Sequence, residues 1–380
     1  MSERASESMS QSANGSGPVR VGVIGAGVIS TEYLRNLTGL PDLDVRAVGD
    51  LDEQRARAQA TAFGVPGSGP VAAVLADEEI ELVVNLTVPQ AHVDVALQAI
   101  AAGKHVWNEK PIGLDRESTR KLLDAARASG LRVATAPDTF LGPGIQTARR
   151  LIESGSIGSP LTALTLLQSP GPESWHPNPD FLFQDGAGPL FDLGPYYLTA
   201  LVQLLGPVAQ VSAVSSRARA VRTIGSGPRA GQQFDVTVPT HVAAIYRFAG
   251  GASAQCLFSF DSAVKRRQVE IAGTEGTLAV PDPNTFTGEI VVNRMDGWGV
   301  TVPAAPSPKT RGIGVLELAR AVRAGQPERA SGELGEHVLD VMISTIEAAE
   351  RGGPVDVAST VEVGPALPED WDPTAATLGR

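Results

Sequence analysis

The chain has a single cysteine in 380 residues, Cys256. That excludes a disulfide framework and a cysteine-rich metal centre. Cys256 alternates with Ala252, Ala254, Phe258 and Phe260, the pattern of an inward-facing strand residue. The five histidines are scattered and show no metal-ligand spacing, so no metal is expected. Basic residues are in the minority: 31 Lys and Arg against 42 Asp and Glu leave a net charge of −11. Nucleic acid is therefore not expected as a partner. No apolar run reaches bilayer-spanning length, which argues against a membrane. Residues 1–17 are rich in Ser, Gly, Ala and Glu, with no apolar stretch and no twin arginine, and read as a disordered leader rather than a signal. A cytoplasmic enzyme fits these absences. The length allows two domains with substantial cores.

What is present is strand–helix alternation from Val19 to about Pro137. Apolar runs predict strands at 19–24, 44–48, 81–87, 104–107 and 131–135. Helices are predicted at 30–38, 52–63, 70–76, 90–102 and 115–129. Repeated units of this kind imply a doubly wound parallel sheet, a Rossmann domain over 18–137. The pattern then changes to period-two alternation at 160–168, 208–217, 240–249, 251–260, 267–273, 276–280 and 289–294. Ala249–Ala252 and Gly273–Gly276 read as hairpin turns. Helices are expected at 144–154, 190–205, 313–324 and 333–351. Residues 138–358 thus form an α+β domain with a large, mostly antiparallel open sheet, and 359–380 a tail. Such a sheet can leave one face uncovered, so a homo-oligomer through it is plausible.

The chemistry begins at Gly25-Ala26-Gly27-Val28-Ile29-Ser30, between the first strand and first helix. Gly25 allows the tight turn, Gly27 lets backbone approach a pyrophosphate, and Ser30 is small enough for helix–strand contact. Val28 and Ile29 open the helix whose free N–H groups would face the phosphates. Asp50 lies twenty positions beyond Ser30, at the end of the second strand, where an acid binds ribose hydroxyls. A carboxylate there repels a 2′-phosphate. Leu51 and Asp52 offer no cation, and Arg55 and Arg57 are expected on the next helix, so NAD is favoured over NADP. About eighty residues after the turn comes Glu109-Lys110-Pro111. This places a lysine at the carboxyl edge of the sheet, where such folds bind ligands, and Pro111 holds it extended. Partial burial would lower its pKa and let it exchange a proton near neutrality.

Four segments together resemble the glucose–fructose oxidoreductase, inositol dehydrogenase and MocA-type family. They are the glycine turn, Asn85-Leu86-Thr87-Val88-Pro89-Gln90-Ala91-His92, Gly103 to Pro111, and Gly188-Pro189-Leu190-Phe191-Asp192-Leu193-Gly194-Pro195-Tyr196. The likeness spans roughly residues 18–357. It implies that Thr87, Pro89 and His92 lie along the cofactor, that Glu109 is near the nicotinamide ribose, and that Lys110 is catalytic. It implies that Asp192 points into a substrate cleft. Tyr196 stands where many members carry a catalytic histidine, and Thr199 where many carry a further aspartate. Tyrosine there is more like glucose–fructose oxidoreductase and dihydrodiol dehydrogenase. A Tyr196–Lys110 pair would then share the proton, with Lys110 pulling the phenol down. Asp192 could equally be a helix N-cap, and Tyr196 a packed aromatic with Tyr197 turned about 100° away. Trp175-His176-Pro177-Asn178-Pro179 reads as a loop between two strands, with Trp175 and His176 available to a sugar. Asp138 is a candidate for the cleft lining. The expectation is an NAD-dependent dehydrogenase or ketoreductase for a sugar or cyclitol-like substrate. An NAD-dependent glycosidase and a non-catalytic dinucleotide-binding regulator are the alternatives.

Overall fold

The structure, a computed structural model, describes residues 16–307 and 309–379. Most of the 1–17 leader lies outside the described residues. Six parallel strands form the first sheet: β1 (Val19–Ile24), β2 (Leu43–Gly49), β3 (Gly67–Gly69), β4 (Leu82–Asn85), β5 (His105–Asn108) and β6 (Val133–Thr135). Their order is β3-β2-β1-β4-β5-β6. Helices α1 (Val28–Leu37), α2 (Glu53–Phe63), α3 (Val71–Ala76), α4 (His92–Ala101) and α5 (Arg116–Ala128) connect them. The central strands are mostly apolar and buried because helices cover both faces, with Asn85 and Asn108 buried at the ends of β4 and β5. In this sheet β3 was not expected from the sequence: Gly67-Ser68-Gly69 carries no apolar residue, yet it pairs with Ala47–Gly49. Asp52 starts α2 by accepting the Gln54 and Arg55 N–H groups, and Gly64, at φ +68°, ends it.

The second sheet has nine strands. They are β7 (Pro160–Gln168), β8 (Val208–Ser216), β11 (His241–Phe248), β12 (Ser253–Ser259), β13 (Arg266–Gly273), β14 (Gly276–Val280), β15 (Glu289–Arg294), β16 (Gly299–Pro303) and β17 (Val355–Asp356). Only β7 and β12 run parallel to each other; every other neighbouring pair is antiparallel. Cys256 is buried on β12, facing the core. Helices α6 (Pro143–Glu153), α7 (Gly188–Leu205) and α9 (Gly332–Arg351) lie on the inner face. The outer face leaves Leu164, Val214 and Ile245 exposed.

Two further features were not legible beforehand. Strands β9 (Val221–Thr223) and β10 (Gln233–Asp235) form a small ribbon. With Leu182, Phe183, Ile224, Val236 and Phe260 it makes a second, separate core. The loop at 175–179 belongs to this cap and connects β7 to α7, not strand to strand as expected. The second feature is a return of the chain to the first domain. Helix α8 (Ile313–Ala324) packs on α1 and β5. Gly314 permits this contact, since any Cβ there would strike the Trp107 ring. The segment from 359 onward also packs back. Val361 and Leu367 are buried, and the fully buried Asp42 accepts the Thr377 and Leu378 N–H groups and the Arg320 guanidinium. Burial would raise the Asp42 carboxyl, but these bonds outweigh it and hold it below the usual range.

Candidate active site

The carboxyl edge of the parallel sheet carries the glycine turn, the loop after β4 and the Glu-Lys-Pro segment. Gly25 has φ +104°, and a Cβ there would lie 2.6 Å from the Leu86 carbonyl oxygen, so the turn needs glycine. Around Gly27 nothing lies within 4 Å of a Cβ position. As the N-cap of α1 it brings no side chain to the free N–H groups. Val28 is 94% and Leu51 95% exposed, two apolar surfaces flanking an open shelf. Ile29 is half-buried against the core.

Asp50 is nearly buried beside the turn. Its Oδ2 accepts the Ala26 N–H at 2.6 Å and its Oδ1 the Asp52 N–H at 2.8 Å. The expectation of no nearby cation needs correction. Arg55 sits on α2, but its side chain reaches back to Asp50 Oδ1 at 3.1 Å.

Under the next loop lies a pair of buried asparagines. Asn85 donates to Asn108 Oδ1 at 2.7 Å and to the His92 carbonyl, and its own Oδ1 accepts the Thr87 hydroxyl. Pro89 opens a short 3₁₀ turn ahead of α4. His92 is the first residue of α4 and is buried. Its Nδ1 lies 2.7 Å from the Pro111 carbonyl oxygen and its Nε2 3.0 Å from that of Thr87. Both ring nitrogens face backbone carbonyls; burial holds the imidazole below its ordinary value, and the neutral ring donates to one of the two. His92 ties the Thr87 loop to the Glu-Lys-Pro turn.

Glu109 is held from two sides. Tyr33, on α1, donates its hydroxyl to Glu109 Oε1 at 2.7 Å and accepts the Trp107 indole N–H at 3.1 Å. The Lys110 N–H reaches Glu109 Oε2 at 2.9 Å. The neighbouring motif lysine, Lys104, is structural: its Nζ donates to the Asp77 and Ile80 carbonyls.

Lys110 meets the second domain. Its Nζ donates to the Asp192 carbonyl at 2.8 Å and to Asp192 Oδ1 at 3.1 Å. It also stands 5.3 Å from the Tyr196 ring centroid. Asp192 is not an N-cap: α7 begins four residues earlier, at Gly188, with Pro189 in its first turn. Pro195, inside α7, has no N–H for the Phe191 carbonyl, and the next carbonyl along, that of Asp192, accepts Lys110. Tyr197 points elsewhere, to Asp282 Oδ1 at 2.9 Å. Thr199 and Pro195 line a small cavity behind Lys110.

The electrostatics differ from the sequence expectation. Burial alone would push the Lys110 ammonium down, but Tyr196, Asp192 and Glu109 outweigh it and raise it above the ordinary lysine value. For Tyr196 the balance also reverses. Burial raises the phenol, and Lys110 and Arg311 offset only part of that. Arg311 was not singled out from the sequence. Its guanidinium carbon also lies 5.3 Å from the Tyr196 ring centroid, and one nitrogen donates to Asn284 Oδ1 at 3.0 Å. No motif announces it, because it reaches the site only when the chain crosses back toward α8.

Asp138 is fully buried at this crossing. Its Oδ2 accepts the Gly312 and Gly314 N–H groups at 2.7 and 3.2 Å, and its Oδ1 has no partner. Burial pushes its carboxyl up to about 6, against Arg311 and the two N–H groups. An unfolded aspartate titrates near 3.9, so the folded state loses stability as pH climbs between the two values. Asp138→Asn does not titrate. Its unfolding free energy relative to the parent should therefore rise by about 1–2 kcal/mol from pH 5 to pH 8. Urea unfolding at both pH values checks this; an unchanged difference would count against it.

Trp175 is 65% exposed on the cap, edge-on to His176, which in turn meets Phe181. Their loop is not joined to Lys110 by any hydrogen bond. Among the described residues no group of three His, Cys, Asp or Glu side chains lies close enough to hold a metal ion. Nor is any described helix long and apolar enough to cross a membrane.

Residues 19–136 match the oxidoreductase family with an NAD-binding Rossmann fold, and residues 145–279 match the GFO/IDH/MocA C-terminal domain. The chain belongs to the GFO/IDH/MocA oxidoreductase family. It is 29% identical to an uncharacterized oxidoreductase of Rhizobium meliloti over 88% of this chain and 98% of that protein. It is 26% identical to the trans-1,2-dihydrobenzene-1,2-diol dehydrogenase of Sus scrofa, over 80% of this chain and 87% of that one. Its fold is that of levoglucosan dehydrogenase solved in complex with NADH and L-sorbose. The TM-score is 0.78 at 23% identity, covering 90% of this chain and 100% of the other.

Proposed function

We infer that the protein is an NAD-dependent oxidoreductase for a secondary alcohol or ketone of a sugar or polyol. The observation that carries this reading is the clamp of Asp192 on Lys110, at the carboxyl edge of the parallel sheet, with the ammonium over the Tyr196 ring. The names of the dihydrodiol and levoglucosan dehydrogenases among its relatives support a hydroxylated substrate. The residues of the shelf fit a dinucleotide: an open glycine at a helix N-terminus, a carboxylate at the end of β2, and exposed Val28 and Leu51. Gly25, Gly27, Val28, Ile29, Asp50, Thr87, Pro89 and Glu109 would hold it, and His92 would support the loop from behind. When bound, the cofactor supplies the hydride acceptor or donor. Lys110, kept charged by Asp192, would steady negative charge on the substrate oxygen. The Tyr196 hydroxyl would exchange the proton, and Asp192 would also place a neighbouring hydroxyl. Trp175 and His176 would meet the sugar from the cap. A screen of sugars and polyols with NAD and NADP, read at the nicotinamide absorbance, tests the reading. Binding of NADH with no turnover of any polyol would overturn it.

Cofactor choice would rest on Asp50. We expect NADH to bind more tightly than NADPH. Asp50→Ala should narrow the difference by about tenfold, roughly 1.4 kcal/mol. The variant removes the charge that opposes a 2′-phosphate and frees Arg55 to meet one. Fluorescence titration with both reduced cofactors measures the change, and tighter NADPH binding by the parent would contradict the assignment.

The reading also carries a cytoplasmic location and a homo-oligomer. The exposed Leu164, Val214 and Ile245 on the outer sheet face are the surface a second copy would cover. Ile245→Asp should yield a monomer in light scattering. A monomeric parent would remove the basis for this expectation.

A further inference from the structure

We propose that Arg311 is a positioning residue for the Tyr196 phenol, acting with Lys110 as one of two cations placed against the ring. The geometry is specific. The Arg311 guanidinium carbon and the Lys110 Nζ each lie 5.3 Å from the ring centroid, and the ring is 6% exposed. The two cations come from different parts of the chain. Lys110 follows β5, and Arg311 precedes α8. Arg311 is fixed from outside by Asn284, while its other terminal nitrogen is buried and has no hydrogen-bond partner. A guanidinium nitrogen left without a partner is costly. The neighbouring carboxylates are what keep it there: Asp138 and Glu109 favour its charged form.

A buried phenol is a poor proton carrier, because removing its proton leaves a buried anion. Tyr196 is faced by Lys110 and Glu109 from the end of β5, by Asp192 from its own helix, and by Arg311 from the crossing segment. The two acids oppose deprotonation and the two cations favour it. Lys110 is already engaged by Asp192, which dilutes its effect on the ring. Among the described residues Arg311 makes no ion pair within 4.0 Å, and its field at Tyr196 adds to the larger one of Lys110. The role rests on the proton-exchange reading of Tyr196, but it is measurable without substrate or cofactor.

The measurement is a phenolate absorbance titration. The chain has four tyrosines. Tyr33, Tyr197 and Tyr246 are buried and all raised, so the difference between the parent and Tyr196→Phe isolates Tyr196. Arg311→Gln should move that titration up by about one to two pH units, and Arg311→Lys by less than half as much. If neither variant moves it, or both move it equally, the proposal fails. If Arg311→Gln does not fold, Asn284→Ala serves instead: untying the guanidinium should also raise the titration, and no change overturns the role. The activity reading fails separately, through an unaltered turnover rate in Tyr196→Phe.

Discussion

Lys110→Met should slow turnover by about 10²-fold or more, the usual scale for a positioned acid–base or charge-stabilising group, while NADH binding changes only a few-fold. The ammonium has no role in forming the dinucleotide shelf, which depends on Gly27, Asp50 and the apolar faces of Val28 and Leu51. Its partners are all groups of the proposed reaction site: the Asp192 carbonyl and carboxylate, and the Tyr196 ring. Methionine keeps the length and most of the volume of the stem, so a collapse of packing is not the expected cause. The loss should fall on kcat. Tyr196→Phe provides the comparison. It removes only a hydroxyl, and if that hydroxyl exchanges the proton, kcat falls by a similar factor and the pH profile loses one limb. Steady-state rates from pH 5 to 10, with NADH affinity measured alongside, separate the two roles. A fully active Lys110→Met enzyme would end the assignment of this site.

Much of this site was readable from residue order, for physical reasons. The central parallel strands are buried on both faces, so they appear as apolar runs bounded by glycine and acid. That exposed the turn at 25–30 and the acid at 50. The segments ending in Pro111 and Tyr196 carry residue types too specific to be spacing alone. What escaped falls into two groups. Strands β3, β9, β10, β16 and β17 are two to five residues long and carry few apolar side chains. Pairing with a neighbour makes them strands, and no local pattern records that. The second group depends on tertiary placement. Arg311 becomes a site neighbour only because the chain crosses back toward α8, and Asp138, a candidate from the sequence, finds its partners Gly312 and Gly314 at that same crossing. The protonation of Lys110 was misjudged for the same reason: burial was foreseeable, but the two-point clamp by Asp192 was not. The start of α7 was missed more simply. Gly188-Pro189 already marked it, with proline at the first turn.

Arg222→Met should cost about 3–5 kcal/mol of cap stability, the range for breaking a buried ion pair by removing one partner. Arg222 is 4% exposed on β9. Its guanidinium pairs with Glu173 on one side and Asp261 on the other, donates to the Pro170 and Phe260 carbonyls, and stacks 4.9 Å from the Phe183 ring centroid. Methionine fills the stem but leaves two carboxylates facing one another without a cation. Glu173 is two residues from Trp175, and its carbonyl accepts the Gly225 N–H at 2.8 Å, so the aromatic loop is fastened through this network. Asp261 lies just past β12 and its other oxygen accepts the Thr240 hydroxyl, so the network ties the cap to the end of the large sheet, and none of its charges comes from the first domain. Loss should therefore be local: faster proteolytic cleavage within 169–187 and a higher KM for the polyol, with NADH affinity unchanged. Adding Glu173→Gln and Asp261→Asn to Arg222→Met removes the stranded charges and should recover a good part of the stability. If Arg222→Met loses less than about 1 kcal/mol, the value of an ordinary exposed pair, the arginine is not what holds the cap. If the triple variant recovers nothing, the damage comes from packing against Phe183 rather than from unpaired charge.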